Sequence, residues 1–231
     1  VGQRIVDHPG INAISFTGSE GTGKRIGIAA MTAGKKAQLE MGGKNPLVVV
    51  DDADLDVAVG AAINGAFFST GQRCTACSRV LVHERVHDEL AQRVAERAKK
   101  LRIGDGLDPN TEMGPLVNAS QVATVEKYVA IGKGEGTLAA GGARPTDAAL
   151  AKGHFYQPTL FTDVKAGARI AVEEIFGPVL AMVKVKSLEE AVEVNNASEY
   201  GLSSSIFTAD VNRAFTAMRD LDTGIVYVNH G

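Results

Sequence analysis

"ISFTGSEGTGKR", Ile14 to Arg25, joins a short β-type run to a glycine-bearing turn and then to residues of helical type. From Gly18 to Lys24 it spells G-x-x-x-x-G-K, the outline of a loop that cradles nucleotide phosphates. The position after Lys24 is Arg25, not the serine or threonine whose hydroxyl holds magnesium. No strand ending in a lone carboxylate stands out as a second metal-holding element. What remains is generic physics: strand, tight turn and helix N-terminus offer backbone N–H groups and a positive dipole end, which suit the phosphate of a cofactor.

The strand-then-helix rhythm continues outward from this unit. "NPLVVV" (Asn45–Val50), "RVLV" (Arg79–Val82), "GPVLAMVKV" (Gly177–Val185), "SSSIFT" (Ser203–Thr208) and "GIVYVN" (Gly224–Asn229) read as strands. Between them lie helical patterns. The first puts Ile26, Ala29, Ala30 and Ala33 on one face and ends at Gly34. The second opens on aspartates and carries Leu55, Val59, Ala62, Ile63 and Ala66. "RVHDELAQRVAERAKKL" (Arg85–Leu101) places its basic residues late, as a helix dipole favours. A Ser187-capped and an Asp210-capped helix follow, with another around Ser120–Ile131 in the otherwise loose stretch 102–154. Such alternation predicts an α/β fold with a largely parallel sheet and flanking helices.

The chain of 231 residues is 45% hydrophobic and 22% charged, ordinary for a globular protein with ample core. A net charge of −3 gives no basic field for nucleic acid or an anionic membrane, so neither is expected as a partner. No apolar run reaches membrane-spanning length. Two cysteines, Cys74 and Cys77, cannot build a disulfide framework, which points to a reducing, cytoplasmic setting. The first residue is Val1 rather than Met, as in a piece of something longer.

Two motifs mislead. "HERVH" (His83–His87) satisfies H-E-x-x-H, but a strand leads into it and the helix starts near Arg85, so the histidines straddle the junction and read as a solvated connector. "CTAC" (Cys74–Cys77) has no second ligand pair for zinc, and no metal site is expected. Cys77 suits a small-residue helix against a core; Cys74 is left open. It stands three residues beyond Gly71, at a loop or helix start where free N–H groups stabilise a thiolate, or the oxyanion formed after attack on a carbonyl. Arg73 beside it adds positive charge. Glu40, ending a β-like run before Gly42-Gly43, is a carboxylate of the kind that serves as general base.

Taken together, "FTGSEGTG" (Phe16–Gly23), "LEMGGKNP" (Leu39–Pro46), "GQRCTA" (Gly71–Ala76) and "EEIFGPV" (Glu173–Val179) resemble the aldehyde dehydrogenase superfamily, in its order and spacing and over essentially the whole chain. Met41 departs from the family's usual leucine, a volume-conserving swap. The resemblance implies oxidation of a small-molecule aldehyde to a carboxylic acid with NAD or NADP. It implies Cys74 as the nucleophile, through a thiohemiacetal and then a thioester, and Glu40 as the base that activates water. Gly18, Ser19 and Gly23 match the segment over the cofactor's pyrophosphate; Glu174 and Phe176 match residues that hold its ribose and nicotinamide. Lys44 is implied to be structural, and Glu173 to lie at the surface or behind the site.

It further implies residues 1–40 as the end of a dinucleotide-binding domain, an incomplete Rossmann-like piece, and 41–231 as a catalytic domain incomplete at its C-terminus. Upstream of Val1 would lie an oxyanion asparagine, a ribose-binding lysine and the residues that choose between NAD and NADP. The isolated chain is therefore expected to bind cofactor weakly, and exposed apolar surface and family habit imply a homo-oligomer. The context of Cys74 is similar to branches that take semialdehydes of short acids. A branch that passes the acyl group to coenzyme A, and an inactive truncated chain acting only as a structural or binding module, are the alternatives. Glu40 favours water over coenzyme A, because a hydrolytic base serves deacylation.

Overall fold

The structure is a computed structural model that describes residues 1–230. The chain divides into two compact units, Val1–Gly42 and Gly43–Gly231.

The first unit holds helix α1 (Gly2–Asp7), strand β1 (Ala13–Thr17), helix α2 (Glu20–Thr32) and strand β2 (Lys36–Glu40). The two strands pair in parallel, Ala13 opposite Lys36 and Thr17 opposite Glu40, with α2 as their crossover. Gly34 ends α2 in the left-handed region at φ 66°, which lets the Lys35 N–H reach back to the Ala30 carbonyl at 2.8 Å.

The second unit opens with β3 (Asn45–Val49), α3 (Leu55–Phe67), a 3₁₀ turn (Phe68–Gly71), β4 (Cys77–His83) and α4 (Glu84–Lys99). It continues with α5 (Ala119–Glu135), β5 (Thr137–Ala140), β6 (Thr159–Thr162) and α6 (Arg169–Val172). It closes with β7 (Val179–Val185), α7 (Leu188–Asn196), β8 (Ser203–Phe207), α8 (Val211–Asp220) and β9 (Ile225–Val228). The seven strands lie in the order β5-β6-β7-β4-β3-β8-β9, parallel throughout except for β5.

The central strands are buried on both faces and so read as continuous apolar runs, "NPLVV" and "RVLV". Successive residues still alternate between two cores. Val48, Leu81, Phe161, Val183 and Ile206 pack under α5 to α8. Leu47, Val49, Val80, Met182 and Phe207 pack under α3 and α4. The helices start where the sequence supplies caps: Asp54 accepts from Asp56 N at 3.0 Å, Ser187 from Glu190 N at 3.2 Å, and Asp210 from Asn212 N at 2.7 Å.

The fold was legible except in two places. The loose stretch 102–154 contains β5 and a longer α5, and β6 and α6 had no separate reading. Cys77 begins a strand rather than lying in a helix, because its register partner is Asn45 of β3.

α5 meets the sheet through Gly132, where a Cβ would come within 2.7 Å of the fully buried Phe161 ring. Gly132→Ala is expected to cost about 1–3 kcal/mol by overpacking. Adding Phe161→Leu makes room, so urea unfolding should show the double variant losing less than the sum of the two single losses. Strict additivity would exclude this contact as the cause.

Candidate active site

In the first unit the phosphate-loop residues gather at the end of β1. The Gly18 N–H donates to the Glu40 carbonyl at 3.0 Å, which brings the turn beside the end of β2, where Glu40 is exposed. Ser19 is the N-cap of α2 but makes no side-chain capping bond; its hydroxyl donates to Thr22 Oγ1 at 3.0 Å. The first N–H groups of a helix have no partner within it, and here no cap side chain takes them. A Cβ at Gly21 would meet nothing within 4 Å. This open helix end fits a phosphate group. Gly23 does a different job: it is buried, and a Cβ there would run into the Met41 side chain, so it keeps α2 close to the end of β2. Lys24 pairs with Glu20 at 2.5 Å.

In the second unit the chemistry collects at the N-terminal ends of β3, β4 and β7. Each is entered from one of the motif segments: Gly43-Lys44 before β3, Cys74 before β4, and Glu174 and Phe176 before β7. Cys74 is exposed in a tight turn closed by Ala76 N donating to Arg73 O at 3.0 Å. No helix begins there, so the expected support from a helix N-terminus is absent. Among the described residues no hydrogen bond engages the Cys74 N–H, which leaves it available to an oxyanion.

The turn is held from several sides. Asn45 Nδ2 donates to Cys74 O at 2.7 Å and to Ala76 O at 3.0 Å, while its Oδ1 accepts from Ser203 N at 3.1 Å. Gly43 lies so close that a Cβ would sit 2.9 Å from Cys74 O. Upstream, Ser69, Thr70 and Gly71 are all left-handed, at φ 52°, 59° and 68°. For serine and threonine that conformation costs on the order of 1–3 kcal/mol each. Thr70 Oγ1 donates to Gly114 O at 3.0 Å, and Gly71 packs on the Gly177 backbone, where a side chain would clash.

That last contact joins the Cys74 turn to the loop carrying Glu174 and Phe176. Glu174 Oε1 accepts from Gly43 N at 3.0 Å, so Cys74, Gly43 and Glu174 form one cluster. Phe176 is 41% exposed at φ 55°, a strained aromatic presented to solvent. Gln121 Nε2 holds it there, donating to Ile175 O and Phe176 O at 2.9 Å each. Glu173 turns the other way, onto Arg169 at 2.7 Å and the Tyr128 hydroxyl at 2.6 Å.

Two expectations change. Arg73 is not free beside Cys74: Nη2 donates to Asn64 O and Gly65 O at 3.1 and 3.2 Å, at the end of α3, and the guanidinium lies over Phe68. His83 and His87 do straddle the strand–helix junction, but they are buried rather than solvated; His83 Nδ1 accepts from Arg85 N as the cap of α4. Lys44, expected to be structural, is buried together with Arg79, at 1% and 2% exposure, behind the cluster. Sequence reasoning assigned no role to Asn45, Gln121 or Arg79; Asn45 and Arg79 left a trace only as polar residues in apolar strands, and Gln121 on α5 left none.

Burial pushes the Cys77 thiol up to about 12, so of the two cysteines it is the inert one. Burial, then Arg79, drags Lys44 down to about 7 from 10.5. Among the described residues no group of three or more His, Cys, Asp or Glu side chains could hold a metal ion, and no helix is long and apolar enough to cross a membrane.

Asn45→Asp keeps the shape but loses the two donors to Cys74 and Ala76, so it should destabilise by about 2–4 kcal/mol in urea, and Asn45→Ala should do the same. Lys44 gives a pH signature. Its folded value lies below its unfolded one, so between them the unfolded chain binds the extra proton and stability rises with pH, by up to about 1.4 kcal/mol per unit. Cys77, raised from 9.0 to about 12, acts in the opposite sense above pH 9. The rise is therefore expected between pH 7 and 9, and Lys44→Met should abolish it.

The sequence model of the aldehyde dehydrogenase family matches residues 1–231. Among curated relatives, the alpha-ketoglutaric semialdehyde dehydrogenase of Bacillus subtilis is 45% identical over 230 residues, 99% of this chain and 47% of the relative. The betaine aldehyde dehydrogenase of the same organism is 44% identical over 99% of this chain and 47% of its own length. A crystal structure of Staphylococcus aureus betaine aldehyde dehydrogenase in complex with NAD+ superposes with a TM-score of 0.97 at 38% identity, over 100% of this chain and 46% of that one. The chain thus spans about half the length of the curated relatives it matches. With its fold, its four motifs and this match in hand, the chain belongs to the aldehyde dehydrogenase family.

Proposed function

We propose that the protein oxidises an aldehyde to a carboxylic acid with NAD or NADP, with Cys74 as nucleophile and Glu40 as the base toward water. The observation that carries this is the Cys74 turn: an exposed thiol, an unengaged backbone N–H at the same residue, and a carbonyl pinned by Asn45. In this reading residues 1–40 close a cofactor-binding domain and residues 41–231 form the catalytic one.

The Cys74 thiolate adds to the carbonyl carbon and makes a thiohemiacetal, whose oxyanion is met by the Cys74 N–H. A nicotinamide dinucleotide, when bound, would supply the hydride acceptor that turns the thiohemiacetal on Cys74 into a thioester. The turn from Gly18 to Gly23 would hold its phosphates at the α2 N-terminus. Glu174 and Phe176 address its ribose and ring; Phe176 is exposed in a strained conformation, the usual price of a pre-set contact. Glu40 then takes a proton from water, which attacks the thioester, and the carboxylic acid leaves.

A semialdehyde of a short acid is the proposed substrate, supported by the similarity to the alpha-ketoglutaric semialdehyde dehydrogenase. Arg73 lends this no support, since it caps α3.

The test is NAD(P)H formation by the protein as its own gene encodes it, with semialdehydes and betaine aldehyde side by side. Cys74→Ser should lower the rate by about 10³-fold or more. Glu40→Gln should form one equivalent of NAD(P)H and stall as the thioester, visible by mass spectrometry. Turnover surviving in Cys74→Ser would falsify the assignment. Glu40→Gln left unimpaired, with coenzyme A accelerating release, would move the protein to the acylating branch.

A further inference from the structure

Arg79 is the third residue of β4 and is only 2% exposed, yet its hydrogen bonding is thin. A guanidinium carries five N–H donors. Here Nη2 alone is engaged, with Asn195 O at 3.4 Å and Asn195 Oδ1 at 3.3 Å, and Nε is buried without a partner. Among the described residues Arg79 makes no ion pair. The buried Lys44 amine has no hydrogen-bond partner either. Buried charge left uncompensated costs several kcal/mol, and among the described residues no carboxylate pairs with Arg79 to offset it.

Arg79 lines a pocket of about 340 Å³ between the loop before α6 and the C-terminal half of α7. That volume lies within the range of small-molecule sites. Its walls are apolar, with Val172, Val194 and Ala197, and its polar groups besides Arg79 are Ser198 and the exposed Glu193. We propose that this pocket is a second binding site, separate from Cys74, for a short aliphatic carboxylate whose head meets Arg79 and whose carbons meet the apolar walls. One guanidinium matches one negative charge, and Glu193 disfavours a dianion such as phosphate. Burial lowers Arg79 to about 10, which keeps it charged at neutral pH.

The experiment is thermal unfolding of the chain at constant ionic strength with butyrate, inorganic phosphate, chloride or the neutral isostere butyramide. Butyrate should raise Tm in a saturable manner, and the other three should not. Glu193→Gln removes the repulsion at the mouth and should tighten butyrate binding severalfold. Ala197→Phe plugs the pocket from an exposed position without touching Arg79 and should abolish the shift. Arg79→Gln should also abolish it, but Ala197→Phe decides the matter should Arg79→Gln unfold. Equal stabilisation by butyrate and chloride, or a butyrate shift unchanged in Ala197→Phe, overturns the proposal.

Discussion

The second unit's chemistry depends on one amide. Asn45 spends both of its functional ends on backbone: Nδ2 on the carbonyls of Cys74 and Ala76, Oδ1 on the N–H of Ser203. Backbone carbonyls turned away from solvent must find partners, and this turn has no ladder of its own to supply them. A single side chain on β3 therefore ties the entrance of β4 to the entrance of β8. The bare Gly43 beside it completes the arrangement, because any side chain there would push the Cys74 carbonyl away.

This placement inverts a familiar habit of open α/β sheets, whose ligands usually bind beyond the C-terminal ends of the strands. In the second unit the exposed Cys74, Glu174 and Phe176 all lie at N-terminal ends. Loops entering strands have no helix dipole to organise them, so the fold substitutes close backbone packing and strain. Gly71 rests on Gly177, three consecutive residues turn left-handed, and Phe176 is held in the same region by Gln121. The core under the sheet bears the energetic cost of those conformations.

Much of this was readable in advance because period and punctuation are local. The apolar runs of β3, β4, β7 and β8 and the caps Asp54, Ser187 and Asp210 each reveal themselves within a few residues. The aldehyde dehydrogenase motifs were equally local. What stayed hidden was set by partners far away in the chain. β6 has four residues, buried throughout, and owes its existence to pairing with β7. Cys77 takes a strand because Asn45 lies opposite it, and His83 is buried by elements its neighbours do not reveal. Arg73 looked like a positive charge beside Cys74, yet the end of α3 claims it.

The burial of Cys77 also bears on how the protein meets oxidants. With its thiol pushed up to about 12 by burial, Cys77 stays protonated at neutral pH. A cysteine oxidised to sulfenic acid is rescued when a neighbouring thiolate condenses with it; without one, oxidation continues to the irreversible sulfinic and sulfonic acids. The C-x-x-C spacing thus offers Cys74 a neighbour in sequence but no resolving partner in chemistry. Protection of the exposed thiol falls to small reductants in solution.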